Sequence, residues 1–106
     1  MEEFKVIYRI LRILQKAMDV DEFDQGMISP TALGLSQQKW SRIMRMLLLN
    51  DYITGADTWE SFDCYPYPKV KLTRPEITLK GLEYLEDNSL MKKAAGIAKG
   101  VIDIVT

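Results

Sequence analysis

The sequence predicts a mixed α+β domain built around one core. Its 106 residues are the length of one ordinary domain, and 47% apolar with 27% charged residues is a globular composition. Apolar residues recur at helical spacing near both ends of the chain, whereas residues 70–73 alternate as in a strand. Three helix starts, at Ser29, Ser36 and Thr78, share one capping pattern. Together these observations predict several helices and a small β-hairpin.

The composition also excludes several classes of function. The chain has no histidine, which removes the Ser-His-Asp and Cys-His catalytic groups and any zinc site that uses histidine. The single cysteine, Cys64, cannot form an internal disulfide, as is typical of a reducing compartment. No apolar run approaches the ~20 residues of a membrane span, and no signal-peptide pattern opens the chain. We therefore expect a cytoplasmic binding protein that is not an enzyme and has no metal, cofactor or membrane partner.

The first helix is predicted over residues 2–18. Two apolar stripes lie side by side on it and merge into an arc of roughly 220°. They contain Phe4, Ile7, Tyr8, Leu11, Leu14 and Met18 in one, and Val6, Ile10, Ile13 and Ala17 in the other. An arc this broad predicts that the helix is covered on two sides.

A pair of helices is predicted next, after an extended segment at residues 27–28. Ser29 caps a brief helix that ends at Gly34, and Ser36 caps a longer helix that runs to Asn50. The predicted inward face of the longer helix contains Trp40, Ile43, Met44 and Leu47. Each of the three caps is flanked by two apolar residues five positions apart, the spacing of a hydrophobic staple. These pairs are Ile28 with Leu33, Leu35 with Trp40, and Ile77 with Leu82.

The second half of the chain is predicted to hold a hairpin and two further helices. A strand starts at residues 52–54 and is broken at Gly55, an irregular aromatic loop covers residues 56–68, and a second strand covers residues 70–73. A helix begins at Thr78, and a last amphipathic helix covers residues 89–106.

This order of elements predicts a winged helix-turn-helix with an added C-terminal amphipathic helix. Residues 1–88 form the winged-helix domain, with residues 29–50 as the helix-turn-helix and residues 52–73 as the wing. Residues 89–106 are expected to pack on helix 1, either within one chain or across the two-fold axis of a homodimer.

The distribution of charge indicates a partner. The net charge is only −1, yet residues 36–50 hold three basic and no acidic side chains, and residues 69–80 hold four basic and one acidic. The predicted fold places both segments on one surface, which favours double-stranded DNA. The recognition helix presents amides, a hydroxyl and arginines that suit base edges and phosphates: Gln37, Gln38, Ser41, Arg42 and Arg45. Near the base of the wing, Lys69, Lys71 and Arg74 are predicted to contact flanking phosphates.

Two features favour a protein partner instead. Leu49 falls on the same outward face as Arg42 and Arg45, and an exposed leucine suits a protein surface. The wing loop also carries acids that a phosphate backbone repels, namely Asp57, Glu60 and Asp63. The sequence therefore predicts a DNA-binding module that regulates transcription, with a winged-helix protein–protein interaction module without DNA binding as the alternative.

Two stretches of the chain resemble the YjcQ family. The first stretch is Ile28-Ser29-Pro30-Thr31-Ala32-Leu33-Gly34-Leu35-Ser36, followed by Trp40, Arg42 and Ile43. The second stretch covers residues 74–86 and continues with Asn88-Ser89 and Met91-Lys92-Lys93. That family consists of small winged-helix proteins from Gram-positive bacteria and their prophages. The resemblance implies a winged-helix fold and a bacterial or phage setting, and it implies no enzymatic activity.

Overall fold

The computed structural model describes residues 2–60 and 67–88. Within these ranges, four α-helices, one short 3₁₀ helix and a two-stranded antiparallel sheet confirm the mixed α+β class. Along the chain these elements are α1 (Glu2–Ala17), the 3₁₀ helix (Gln25–Ile28), α2 (Pro30–Leu33), α3 (Gln37–Leu49), β1 (Ile53–Trp59), β2 (Lys69–Ile77) and α4 (Leu79–Asp87). The arrangement is compatible with a winged helix. The helix predicted over residues 89–106 lies outside the described residues, as do residues 61–66 of the aromatic loop.

The three predicted helix starts are confirmed by their capping hydrogen bonds. The Ser29 hydroxyl accepts the Ala32 N–H at 3.1 Å, and the Ser36 hydroxyl accepts the Lys39 N–H at 3.1 Å. Thr78 caps α4 in the same way. Gly34 ends α2 in the left-handed conformation, with φ +70°, so the chain turns directly into α3.

The core is formed mainly by side chains of α1 and α3. The predicted inward residues of α3 are all buried, namely Trp40, Ile43, Met44 and Leu47. They pack in one cluster with Ile10, Leu11 and Leu14 of α1. The Trp40 indole N–H donates to the Ile28 carbonyl at 2.7 Å, and this buried hydrogen bond joins α3 to the segment before α2.

The ends of α1 differ from the prediction. Phe4 and Met18 were expected in the buried stripe, but both are exposed, because the core covers only the middle of the helix. None of the helices in the described ranges has both the length and the apolar character that crossing a membrane requires.

The extended segment predicted at residues 27–28 is instead part of the 3₁₀ helix. The Asp24 side chain caps this helix by accepting the Gly26 N–H at 2.9 Å, and the Ser29 N–H donates to the Gly26 carbonyl. These local bonds satisfy the backbone without a neighbouring strand.

The predicted break at Gly55 is wrong, since β1 continues through it to Trp59. The register explains the difference: Thr54 pairs with Glu76, but Ala56 pairs with Leu72, so residues 73–75 of β2 stand opposite Gly55 alone. The irregularity is therefore a bulge in the partner strand. Gly55 has φ +81°, and a Cβ built on it lies 1.8 Å from the Arg74 carbonyl oxygen.

The bulge also changes which side of the hairpin faces the core. Between the bulge and the open end of the hairpin, Ile53 of β1 and Ile77 of β2 are buried. Between the bulge and the loop that joins the strands, Val70 and Leu72 pack against the core. In a regular ladder these two side chains would point to the face of the sheet opposite Ile77. The lysines at positions 69 and 71 consequently lie on the outer face of the hairpin.

Candidate functional site

The exposed face of α3 carries polar and basic side chains near its start and apolar ones near its end. Gln37, Gln38 and Arg42 are exposed, and α3 contains no acidic residue. Toward the C-terminal end, Met46 and Leu49 are 47% and 64% exposed. The helix therefore offers hydrogen-bonding groups and positive charge next to an apolar edge.

Ser41 was predicted on this outward face, and that placement is wrong. Its side chain is fully buried, and its hydroxyl accepts a hydrogen bond from the Gln37 amide at 3.0 Å. The residue stands about 60° around the helix from buried Met44, on a flank that the core also covers. Ser41 thus positions Gln37 and does not reach a ligand.

Lys39, in the first turn of α3, forms an ion pair with α1. Its ammonium lies 3.0 Å from the Glu3 carboxylate. The hydrogen bond from Lys39 holds the pKa of Glu3 below its usual value of 4.5. A backbone hydrogen bond and the positive charge of Lys39 lower this pKa further. Because the folded-state pKa is lowered, the stabilisation from this pair is present above the unfolded-state pKa. It is lost as the pH falls through the folded-state pKa.

The Lys39→Gln substitution is expected to raise the pKa of Glu3 toward 4.5, because it removes the main cause of the shift. The Glu3 carboxyl resonance followed by NMR over an acid titration measures this directly. Lys16→Gln, a matched loss of an exposed lysine at the other end of α1, should leave the pKa of Glu3 unchanged. An equal shift in both variants would contradict the pairing.

A groove of about 420 Å³ lies between α3 and the hairpin. The helix contributes Arg42, Arg45, Met46 and Leu49 to its lining. The hairpin contributes Glu60, Tyr67 and Pro68, the residues that follow β1 and precede β2. The structure therefore brings the two predicted arginines together. Beside them lie the residues at which β1 and β2 meet the loop that joins them. We call this site the α3–hairpin groove.

Inside this groove, Arg45 is engaged by the hairpin. Its guanidinium lies 2.9 Å from the Glu60 carboxylate, and the two side chains are 41% and 70% exposed. Glu60 was predicted only as a charge unfavourable to DNA binding, and its ion pair with Arg45 was not predicted. The connection from α3 to β1 is short, so β1 runs back beside the helix. This short connection was the feature of the sequence that could have predicted the contact between Glu60 and α3.

The predicted phosphate contacts on β2 do not line the α3–hairpin groove. Lys71 is exposed on the outer face of the hairpin, where its register partner is Asp57. Lys69 lies on the same face opposite Trp59. An acidic partner across the strands reduces the positive potential around Lys71.

Arg74 lies in a different groove, of about 690 Å³, between the end of α1 and β2. Its neighbours in that lining include Asp21, Glu22 and Glu76. The predicted single basic surface is therefore only partly assembled. Arg42 and Arg45 share one groove, whereas Arg74 sits in an acidic one.

The comparisons with known proteins bear on the family of the chain. The family model described as YjcQ protein matches residues 8–104. No curated protein and no solved structure matches the chain. The match spans the helix pair, the hairpin and α4, and it agrees with the two stretches that carry the resemblance. The chain belongs to the YjcQ family.

Proposed function

We propose that the chain is a winged helix-turn-helix protein that binds double-stranded DNA through α3 and regulates transcription in the cytoplasm. The observation that carries this proposal is the exposed, acid-free face of α3, which follows a one-turn helix and a glycine turn. A second helix presented in this way fits the major groove. The bacterial or prophage setting rests on the family resemblance, and the proposal assigns no enzymatic activity.

Side-chain chemistry assigns different roles along α3. The exposed amide of Gln38 and the guanidinium of Arg42 are suited to base edges, where amides pair with adenine and arginine pairs with guanine. The side chain of Gln37 is held by Ser41, which fixes the direction of its amide. Arg45 is suited to a phosphate. Lys69 and Lys71 remain predicted phosphate contacts, whereas Ser41 and Arg74 leave the proposed site.

DNA-binding helix-turn-helix proteins commonly read two half-sites as a symmetric pair. The predicted homodimer through α1 and residues 89–106 is therefore part of the proposal. Exposed Phe4 on α1 supports it, since this apolar side chain is available to a second copy.

The Arg42→Ala substitution is expected to weaken binding to a random-sequence duplex about tenfold and to lower the slope of affinity against salt by about 0.9, because Arg42 neutralises a phosphate where no matching base is offered. The measurement is fluorescence anisotropy with a labelled random-sequence duplex, starting at ~50 mM salt. Arg74→Ala is the matched control, because it removes the same charge from the other groove. Equal losses in the two variants, or no binding by the wild-type protein, would overturn the proposal.

A second candidate function is supported by the apolar edge of α3. Met46 and Leu49 are about half and two-thirds exposed within the α3–hairpin groove, and large exposed apolar side chains side by side are typical of protein-binding surfaces. A protein–protein interaction module becomes the favoured function if the wild-type protein fails to bind duplex at low salt.

A further inference from the structure

The α3–hairpin groove contains two cations of the proposed DNA surface and one carboxylate. Arg42 and Arg45 come from α3, and Glu60 is the acidic residue among those that line the groove. Glu60 directly follows Trp59, whose pairing with Lys69 closes the described ladder of the hairpin. The end of β1 therefore holds the carboxylate against the helix.

We infer that Glu60 is an affinity-setting residue that competes with DNA phosphate for Arg45. The inference rests on the proposed function and concerns the control of that same site. The Arg45 guanidinium contacts Glu60 through Nη1, and a phosphate oxygen accepts from a guanidinium in the same geometry as a carboxylate, so the two compete for the N–H groups of this nitrogen. A phosphate that bonds to Nη1 displaces the Glu60 carboxylate, and one that bonds to the other N–H groups of Arg45 lies close to that negative charge.

The exposure of the pair makes such an exchange feasible. With 41% and 70% of the two side chains exposed, water screens the attraction, and exposed ion pairs of this kind are weak. A phosphate can displace the carboxylate, but the displaced carboxylate stays close and repels the DNA backbone. Both effects lower affinity for duplex of any sequence. Contacts of Gln38 and Arg42 with base edges then determine which DNA sequences are bound tightly.

The Glu60→Gln substitution is expected to tighten binding to a random-sequence duplex three- to tenfold and to steepen the salt dependence by about 0.9. Glutamine keeps the size of the side chain and removes its charge. The matched control is Glu83→Gln, which makes the same change on the exposed surface of α4, away from the groove. We expect that control to stay within twofold of the wild-type affinity.

A double-mutant cycle tests whether Arg45 carries the gain. In an Arg45→Ala background, Glu60→Gln should tighten binding less than it does in the wild-type protein, because no guanidinium remains to be released and only the repulsion of the DNA backbone is relieved. The same gain with and without Arg45 would overturn the competition, as would a gain no larger than that of Glu83→Gln.

The outcomes separate this inference from the proposed function. Binding by the wild-type protein without an extra gain in Glu60→Gln overturns the inference alone. Binding that first becomes measurable in Glu60→Gln supports the inference. No binding by either protein at low salt overturns both.

Discussion

Replacing Gly55 by alanine is expected to destabilise the domain by about 3 kcal/mol and to lower its Tm by roughly 15 °C. The added Cβ would lie 1.8 Å from the carbonyl oxygen of Arg74, and φ is +81° at this position. The obstacle is backbone rather than a movable side chain, so the hairpin must open at its bulge. Thermal unfolding followed by far-UV circular dichroism measures the loss.

Gly34→Ala is the matched control for this substitution. Gly34 has a similar positive φ of +70°, but a Cβ there meets no atom within 4 Å. Only the left-handed conformation is then unfavourable, which costs about 1 kcal/mol. Equal destabilisation by the two substitutions would show that the contact with the Arg74 carbonyl is unimportant.

The Trp40→Phe substitution is expected to lower the free energy of unfolding by about 2 kcal/mol. It removes the indole N–H that donates to Ile28, leaves that buried carbonyl without its partner and opens a small cavity in the core. Urea denaturation followed by circular dichroism gives the value without relying on tryptophan fluorescence.

Trp59→Phe makes the same chemical change on the hairpin, where the side chain is 46% exposed. Its expected cost is below about 0.5 kcal/mol. A loss as large at position 59 as at position 40 would contradict the assignment of the buried hydrogen bond as the main cause. The Trp40 variant should also weaken duplex binding, since the bond fixes how α3 leaves the preceding turn.

The features that the sequence predicted well are local ones. A serine or threonine cap, a proline in the first turn and a glycine at the end are decided by hydrogen bonds within a few residues. The starts at Ser29, Ser36 and Thr78 were therefore predictable. The same holds for the inward face of α3, which follows from helical periodicity alone.

The features that it missed depend on residues far apart in the chain. A glycine after three strand residues is read locally as a break, whereas the structure uses Gly55 to accommodate a bulge in residues 73–75. Met27 and Ile28 have strand propensity, but the cap at Asp24 decides their conformation. Propensity is a weak guide where a cap or a bulge supplies the backbone's hydrogen bonds.

The candidate site was predicted in outline but not in detail. The two arginines of α3 were predicted on one face of the helix, and the structure shows that they line one groove, because they are three residues apart. The burial of Ser41 depends on how far the core wraps around α3, which periodicity does not specify. Arg74 is separated from those arginines because it lies farther along β2, where the strand faces the end of α1, and no local signal predicted that packing.

The bulge at residues 73–75 also divides the hairpin into a proximal part that is anchored in the core and a distal part that projects from it. Ile53 and Ile77 anchor the proximal part in the core, so its length is fixed by packing. The distal part, beyond Ala56 and Leu72, joins the core through one side only. Paired insertions or deletions there would change how far the hairpin projects while the anchored register stays intact. The fold is thus compatible with hairpins of different reach on the same anchored base.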